Sequence, residues 1–210
     1  AYGLMAELVR ELRSDGHEIS HVDLGGGLGV PYRGTNDVPP HPDEYAAVIK
    51  AALGDLDCKY VLEPGRMIAG NAGILVARVI HVKHGEEHNF LIIDAAMNDL
   101  IRPTLYDAYH ELWPVQKPEP GFQKTAFDVV GPVCESGDYL ALSRDLPPLK
   151  AGDLIAFLTA GAYGAVQSGT YNTRQLIPEV LVSGDKFAIV RPRQTFDELI
   201  GLDRLAGWQA

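Results

Sequence analysis

Cysteine is scarce in this chain: Cys58 and Cys134 are the only two in 210 residues. Two thiols cannot build a disulfide framework, which makes a reducing cytoplasm the expected setting. Cations are outnumbered too, with 18 Lys and Arg against 28 Asp and Glu and a formal charge of −10. Nucleic acid and anionic membrane both demand clustered Lys and Arg, so neither is an expected partner. A local basic pocket for a small anion stays open. No apolar run approaches the roughly 18 residues of a membrane-spanning helix, and no signal peptide opens the chain. An initiator Met is missing as well. The first residues, Ala1-Tyr2-Gly3-Leu4-Met5, already read as a helix in progress, so the chain is expected to be part of something longer.

What remains is ordinary globular material, 46% hydrophobic and 22% charged, with enough apolar residues for a core. The first part alternates helix and strand. Leu4, Leu8, Val9 and Leu12 share one helical face, and Gly16 is placed to end that helix. Residues 19–24 read as a short strand running into Gly25-Gly26-Gly27. Asp43 is placed to cap a helix over 44–53, with Tyr45, Val48, Ile49 and Ala52 inward. Residues 60–63 form the next strand. This order implies parallel strands with helical crossovers. After Gly73 the pattern is mainly β, with strands expected over 74–83, 89–94, 126–130, 139–142, 154–158, 177–183 and 187–191. A short helix is expected within 195–205. The boundary is placed near residue 80.

Several segments carry chemical potential. Gly131-Pro132-Val133-Cys134-Glu135-Ser136-Gly137-Asp138 sets a thiol beside a carboxylate in a glycine-bounded turn. The thiol is either a small buried apolar group or an exposed nucleophile or proton donor. Gly25-Gly26-Gly27-Leu28-Gly29 after a strand lets backbone amides approach an anion, although a tight turn needs the same residues. Glu63-Pro64-Gly65-Arg66 ends the second strand and is equally compatible with an exposed salt-bridged turn. Arg102-Pro103-Thr104-Leu105-Tyr106 offers a stiffened guanidinium able to grip a carboxylate, or merely a solvated loop. Tyr163 stands in a glycine-rich turn, Ala160-Gly161-Ala162-Tyr163-Gly164, either as a ligand contact or as packing.

Taken in order, HVDLGGGLGVPY (21–32), LEPGRMIAGNAG (62–73), IDAAMNDLIRPTLYDAYHE (93–111), GPVCESGDYLA (131–141) and AGAYGAVQSGTYNTR (160–174) resemble the fold-type-III pyridoxal-phosphate-dependent decarboxylases of basic amino acids. Glu135, Ser136 and the Arg102/Tyr106 segment point to the diaminopimelate branch, which makes lysine. Members acting on ornithine usually carry Asp after the Cys. The resemblance implies the C-terminal part of a (β/α)8 barrel over 1–80, then a mainly antiparallel β domain, barrel or sandwich, over 81–210. It also assigns roles. Gly27, Pro64, Gly65 and Arg66 would hold the phosphate of pyridoxal 5′-phosphate, and Glu63 would keep the pyridine nitrogen protonated. Tyr163 would contact both cofactor and substrate. Arg66, Arg102, Tyr106 and Glu135 would read the carboxylate and ammonium at the substrate's far end. Cys134 would protonate the carbon left by CO2. Cys134 and Glu135 serve the partner subunit's site in this family, so a homodimer is implied; no metal is. Decarboxylation of ornithine, arginine or carboxynorspermidine is the nearest alternative reading, and a non-catalytic regulatory paralogue the next.

One departure stands out. The family tethers its cofactor to a lysine early in the barrel. Lys50, Lys59, Lys83, Lys117, Lys124, Lys150 and Lys186 are the lysines here, and none has that context or precedes the glycine run. A full barrel needs about 250 residues. The chain alone is therefore expected to lack decarboxylase activity.

Overall fold

The computed structural model describes residues 1–33 and 38–209 and divides after Ala72 into two units. The boundary expected near residue 80 falls inside a single continuous strand, Leu75–His84. Alternation of Leu75, Ala77 and Val79 inward with Val76, Arg78 and Ile80 outward holds that strand in the second unit's sheet.

In the first unit, helix α1 (Tyr2–Ser14) precedes strand β1 (His21–Asp23), helix α2 (Pro42–Leu53), strand β2 (Lys59–Val61) and the short helix α3 (Gly65–Ala69). β1 and β2 pair in parallel, Val22 opposite Tyr60, as the helix–strand alternation requires. The core gathers Ala6, Val9, Val22, Ile49, Leu53 and Leu56. Two local expectations are corrected. Leu4 (72% exposed) and Leu8 (47%) do not face this core; α1 turns Tyr2, Met5, Ala6 and Val9 inward. Arg13 ends that stripe and donates to the carbonyls of Leu56 (2.7 Å) and Ile19, so a cation occupies the place where periodicity favours a leucine. The cap of α2 is His41, not Asp43. Pro42 takes the first helical position, where its missing N–H costs nothing. His41 Nδ1 then accepts from the Asp43 amide, and Glu44 accepts from the His41 amide.

The second unit is built on a six-stranded sheet of β3 (Leu75–His84), β4 (Asn89–Ile93), β5 (Leu112–Pro114), β6 (Thr125–Val130), β7 (Tyr139–Leu146) and β8 (Leu154–Phe157). The spatial order is β5-β8-β3-β4-β6-β7. The sheet is open between edges β5 and β7, and among the described residues no pairing closes it into a barrel. Neighbours are antiparallel except β4 and β6, which run parallel. Leu91, Ile93, Leu100, Val129, Leu140, Ile155 and Phe157 fill its core. Parallel pairing forbids a tight turn, and the crossover from β4 to β6 carries helix α4 (Arg102–Tyr106) and β5. Neither was evident in the sequence. The β6–β7 connection is a hairpin tip over 131–138. A separate antiparallel hairpin, β9 (Glu179–Ser183) and β10 (Lys186–Arg191), turns through Gly184 at φ +61°. The chain then reaches helix α5 (Phe196–Ile200). Val180, Leu181, Val182, Phe187, Ile189 and Val190 are all half-exposed or more, so the hairpin is bare on both faces. No helix among the described residues is long and apolar enough to cross a membrane.

Candidate active site

The residues singled out above fall into two groups, one in each unit. In the first, the ends of β1 and β2 are laced together. The Leu24 amide donates to the Val61 carbonyl (3.0 Å) and the Glu63 amide to the Gly25 carbonyl (2.8 Å). Asp23 accepts from the Gly25 amide at 2.8 Å. Gly26 is obligatory, because a Cβ there would sit within 2.2 Å of the Glu63 carbonyl oxygen. Gly27 adopts φ +94° and faces open space, as does Gly65 at the start of α3. Pro64 precedes that helix, Arg66 follows Gly65 and is half-buried, and the Glu63 side chain is exposed. Gly27, Glu63, Pro64, Gly65 and Arg66 are thus gathered at the C-terminal ends of two parallel strands, where α/β folds hold ligands.

In the second unit the hairpin tip 131–138 is organised by one buried carboxylate. Asp138 is 4% exposed and accepts from the amides of Met97 (2.7 Å) and Val133 (2.6 Å). The Asp138 carbonyl takes the Gly131 amide at 2.9 Å. A Cβ at Gly131 would meet the Asp138 carboxylate at 2.4 Å, so that glycine is dictated by the same group. The turn presents Cys134 as an exposed free thiol, which removes the buried-packing alternative. Cys58, by contrast, is half-buried beside Arg13 and packs with the first unit's core. Glu135 is exposed and tied down: Oε1 accepts from the Gly137 amide and Oε2 from the Tyr171 hydroxyl, both at 3.2 Å. That bond to Glu135, with the carboxylate's charge, raises the Tyr171 phenol above its usual range.

Helix α4 is fixed to this turn by the Thr104 hydroxyl, which donates to the carbonyls of Gly137 and Tyr139. Arg102 is not on a solvated loop. It is 8% exposed, its guanidinium lies 5.9 Å from the Tyr163 ring centre, and its Nη1 donates to His110 Nε2 at 3.0 Å. Tyr163 is 40% exposed at φ +63°, and Tyr106 is 60% exposed. Tyr163 is therefore not a packed interior ring. Asn98 donates to the carbonyls of Gly169 and Tyr171, both at 2.9 Å. Arg174 reaches the Asp94 carbonyl (2.9 Å) and the Asp99 carboxylate (3.4 Å). Burial raises the Asp99 carboxyl, with the Ala96 amide and Arg174 opposing. Sequence reasoning missed Asp138, His110, Asn98 and Tyr171 as supporting groups. All lie within the quoted motifs, and what marks them is burial or a partner far along the chain. No cluster of His, Cys, Asp and Glu able to hold a metal occurs among the described residues.

Residues 15–161 match the profile of the pyridoxal-dependent decarboxylase C-terminal sheet domain. The chain belongs to the pyridoxal-dependent decarboxylases. Within this decarboxylase family it is similar to the diaminopimelate decarboxylase of Zymomonas mobilis, 45% identical over 96% of this chain and 47% of that protein. The Vibrio cholerae diaminopimelate decarboxylase is 48% identical over 93% of this chain and 46% of its own length. The crystal structure of the Helicobacter pylori diaminopimelate decarboxylase complexed with L-lysine superposes with a TM-score of 0.87 at 36% identity, over 96% of this chain and 49% of that one. The chain therefore spans about half the length of the curated relatives it matches, and the described residues form no complete eight-stranded barrel.

Proposed function

We propose that this chain is a C-terminal portion of a diaminopimelate decarboxylase, which removes CO2 from meso-2,6-diaminopimelate and leaves L-lysine. The observation that carries the reading is the hairpin tip at 131–138. It displays an exposed thiol, with a hydrogen-bonded carboxylate next to it, on a turn fixed by buried Asp138. A packing cysteine needs none of this.

The first unit's β1-α2-β2 segment is read as the closing part of the parent's (β/α)8 barrel. Its donor set fits pyridoxal 5′-phosphate: open space over Gly27 and Gly65 lets backbone amides approach a phosphate, Pro64 and Arg66 flank it, and Glu63 suits a protonated ring nitrogen. When bound, the cofactor supplies an electron sink for the carbon that loses CO2. The chain's own groups do the rest. Arg102, Tyr106 and Arg66 bind the carboxylate at the substrate's far end, and Glu135, held by Tyr171, binds the ammonium there. Tyr163 orients substrate and phosphate. Cys134 delivers the proton from Sγ to the decarboxylated carbon. In the family Cys134 and Glu135 serve a second copy's site, so the working form is a homodimer with a small amino acid as its ligand.

Turnover of the full enzyme on meso-diaminopimelate, ornithine and arginine tests the reading. Lysine formation alone is expected. Cys134→Ala should lower kcat by roughly 100-fold or more, the range for a lost proton donor. Equal turnover of ornithine, or an undiminished Cys134→Ala enzyme, would overturn it.

A further inference from the structure

His110 has no place in the chemistry above, yet it is fully buried. Its ring nitrogens meet two groups of fixed polarity. Nδ1 lies 3.0 Å from the Leu158 carbonyl oxygen, which can only accept. Nε2 lies 3.0 Å from Arg102 Nη1, which can only donate. Both contacts hold together in one state alone: a neutral imidazole with its proton on Nδ1 and its lone pair aimed at the guanidinium. A protonated ring would set N–H against N–H beside a cation. The backbone of His110 is anchored as well, since Arg144 donates to its carbonyl at 2.7 Å while stacking 3.9 Å over the Tyr109 ring.

We infer that His110 is a positioning residue for Arg102. It takes one edge of the guanidinium and fixes the plane in which the fork meets a substrate carboxylate. A guanidinium already ordered loses less freedom when it binds. His110 thereby sets the affinity for the far carboxylate without touching it. This rests on the reading of Arg102 as that carboxylate's partner.

Two ligands separate the possibilities. L-Lysine keeps the far carboxylate, whereas 1,5-diaminopentane lacks it. In the holoenzyme, His110→Asn keeps a donor for Leu158 but removes the acceptor for Arg102, and His110→Gln can restore an acceptor. His110→Asn should weaken L-lysine binding about tenfold, as for a lost hydrogen bond to a charged group. Binding of 1,5-diaminopentane should not change, and His110→Gln should recover most of the loss. Equal weakening of both ligands, or none, overturns the inference. Arg102→Gln is the control: if it spares L-lysine binding, the carboxylate assignment itself has failed. A measurement on the unaltered protein needs no variant. Long-range ¹H–¹⁵N spectra should show His110 protonated on Nδ1 alone and unchanged while exposed histidines titrate. An Nε2–H or doubly protonated ring near neutral pH would overturn the assignment.

Discussion

Asp138 shows how much can depend on a side chain that carries no reacting atom. Its carboxylate is the acceptor for two part-buried amides, and truncation strands both. Asp138→Ala is expected to cost about 3 kcal/mol in denaturant unfolding and to impair turnover; Asp138→Asn, which keeps one acceptor, should cost less. His110 gives a second residue-scale prediction. Burial, reinforced by Arg102 and Arg144, holds its imidazole below the usual 6.5, against the Leu158 hydrogen bond. The folded state then binds fewer protons than the unfolded one, so this stability is present above pH 6.5 and is lost as pH falls toward the depressed folded value. Unfolding free energies at about pH 7.5 and about pH 5 should differ more in the unaltered protein than in His110→Gln, which cannot titrate. The groups proposed for the chemistry stood out as residues because thiol, carboxylate and guanidinium announce their reactivity. Their supports were not. Asp138 reads as a turn residue and His110 as a loop histidine until the Met97 and Leu158 partners, 41 and 48 positions away, are known.

At the scale of elements, the first unit's candidate site depends on a close approach of two strand ends. Gly26→Ala forces a Cβ onto the Glu63 carbonyl and should cost about 3 kcal/mol. Gly27→Ala meets open space and only the strain of its positive φ, roughly 1–2 kcal/mol. Thermal melts of the two variants should rank in that order. The longer strands were legible because apolar residues alternate along them, as in β3 with Leu75, Ala77 and Val79 inward; the three-residue β5 is too short to show a period. Helix α4 was not, since five residues with Pro at the second position show no helical period; the parallel pairing of β4 with β6 creates the crossover that holds it. The face of α1 was misjudged because leucine outweighs alanine in any apolar count, while Ala6 is the residue that packs. The bare hairpin gives a further expectation. A two-stranded ribbon is marginal alone, and an apolar one attracts other chains. Leu181→Lys or Phe187→Lys should reduce self-association in light scattering and change stability by less than about 0.5 kcal/mol.

For the whole molecule, the 210-residue chain supplied with pyridoxal phosphate and meso-diaminopimelate is expected to release no CO2 at an enzymatic rate. None of its seven lysines stands where the family places its cofactor tether. The motifs themselves were legible: the glycine run and Glu63-Pro64-Gly65-Arg66 fall in the first unit, and the Arg102, Cys134 and Tyr163 segments in the second. Where the units divide was not, because β3 continues the apolar alternation across the expected boundary. Each unit has its own core, and among the described residues the core cluster of the smaller one holds only six buried side chains. Separate cores can melt separately. Calorimetry of the chain should then resolve two transitions, the first belonging to residues 1–72. Any function that needs both units would expire at that first transition. The protein would keep most of its ordered structure, and look intact by circular dichroism, at temperatures where the laced strand ends of the first unit have already come apart. Its working lifetime is the lifetime of its weaker part.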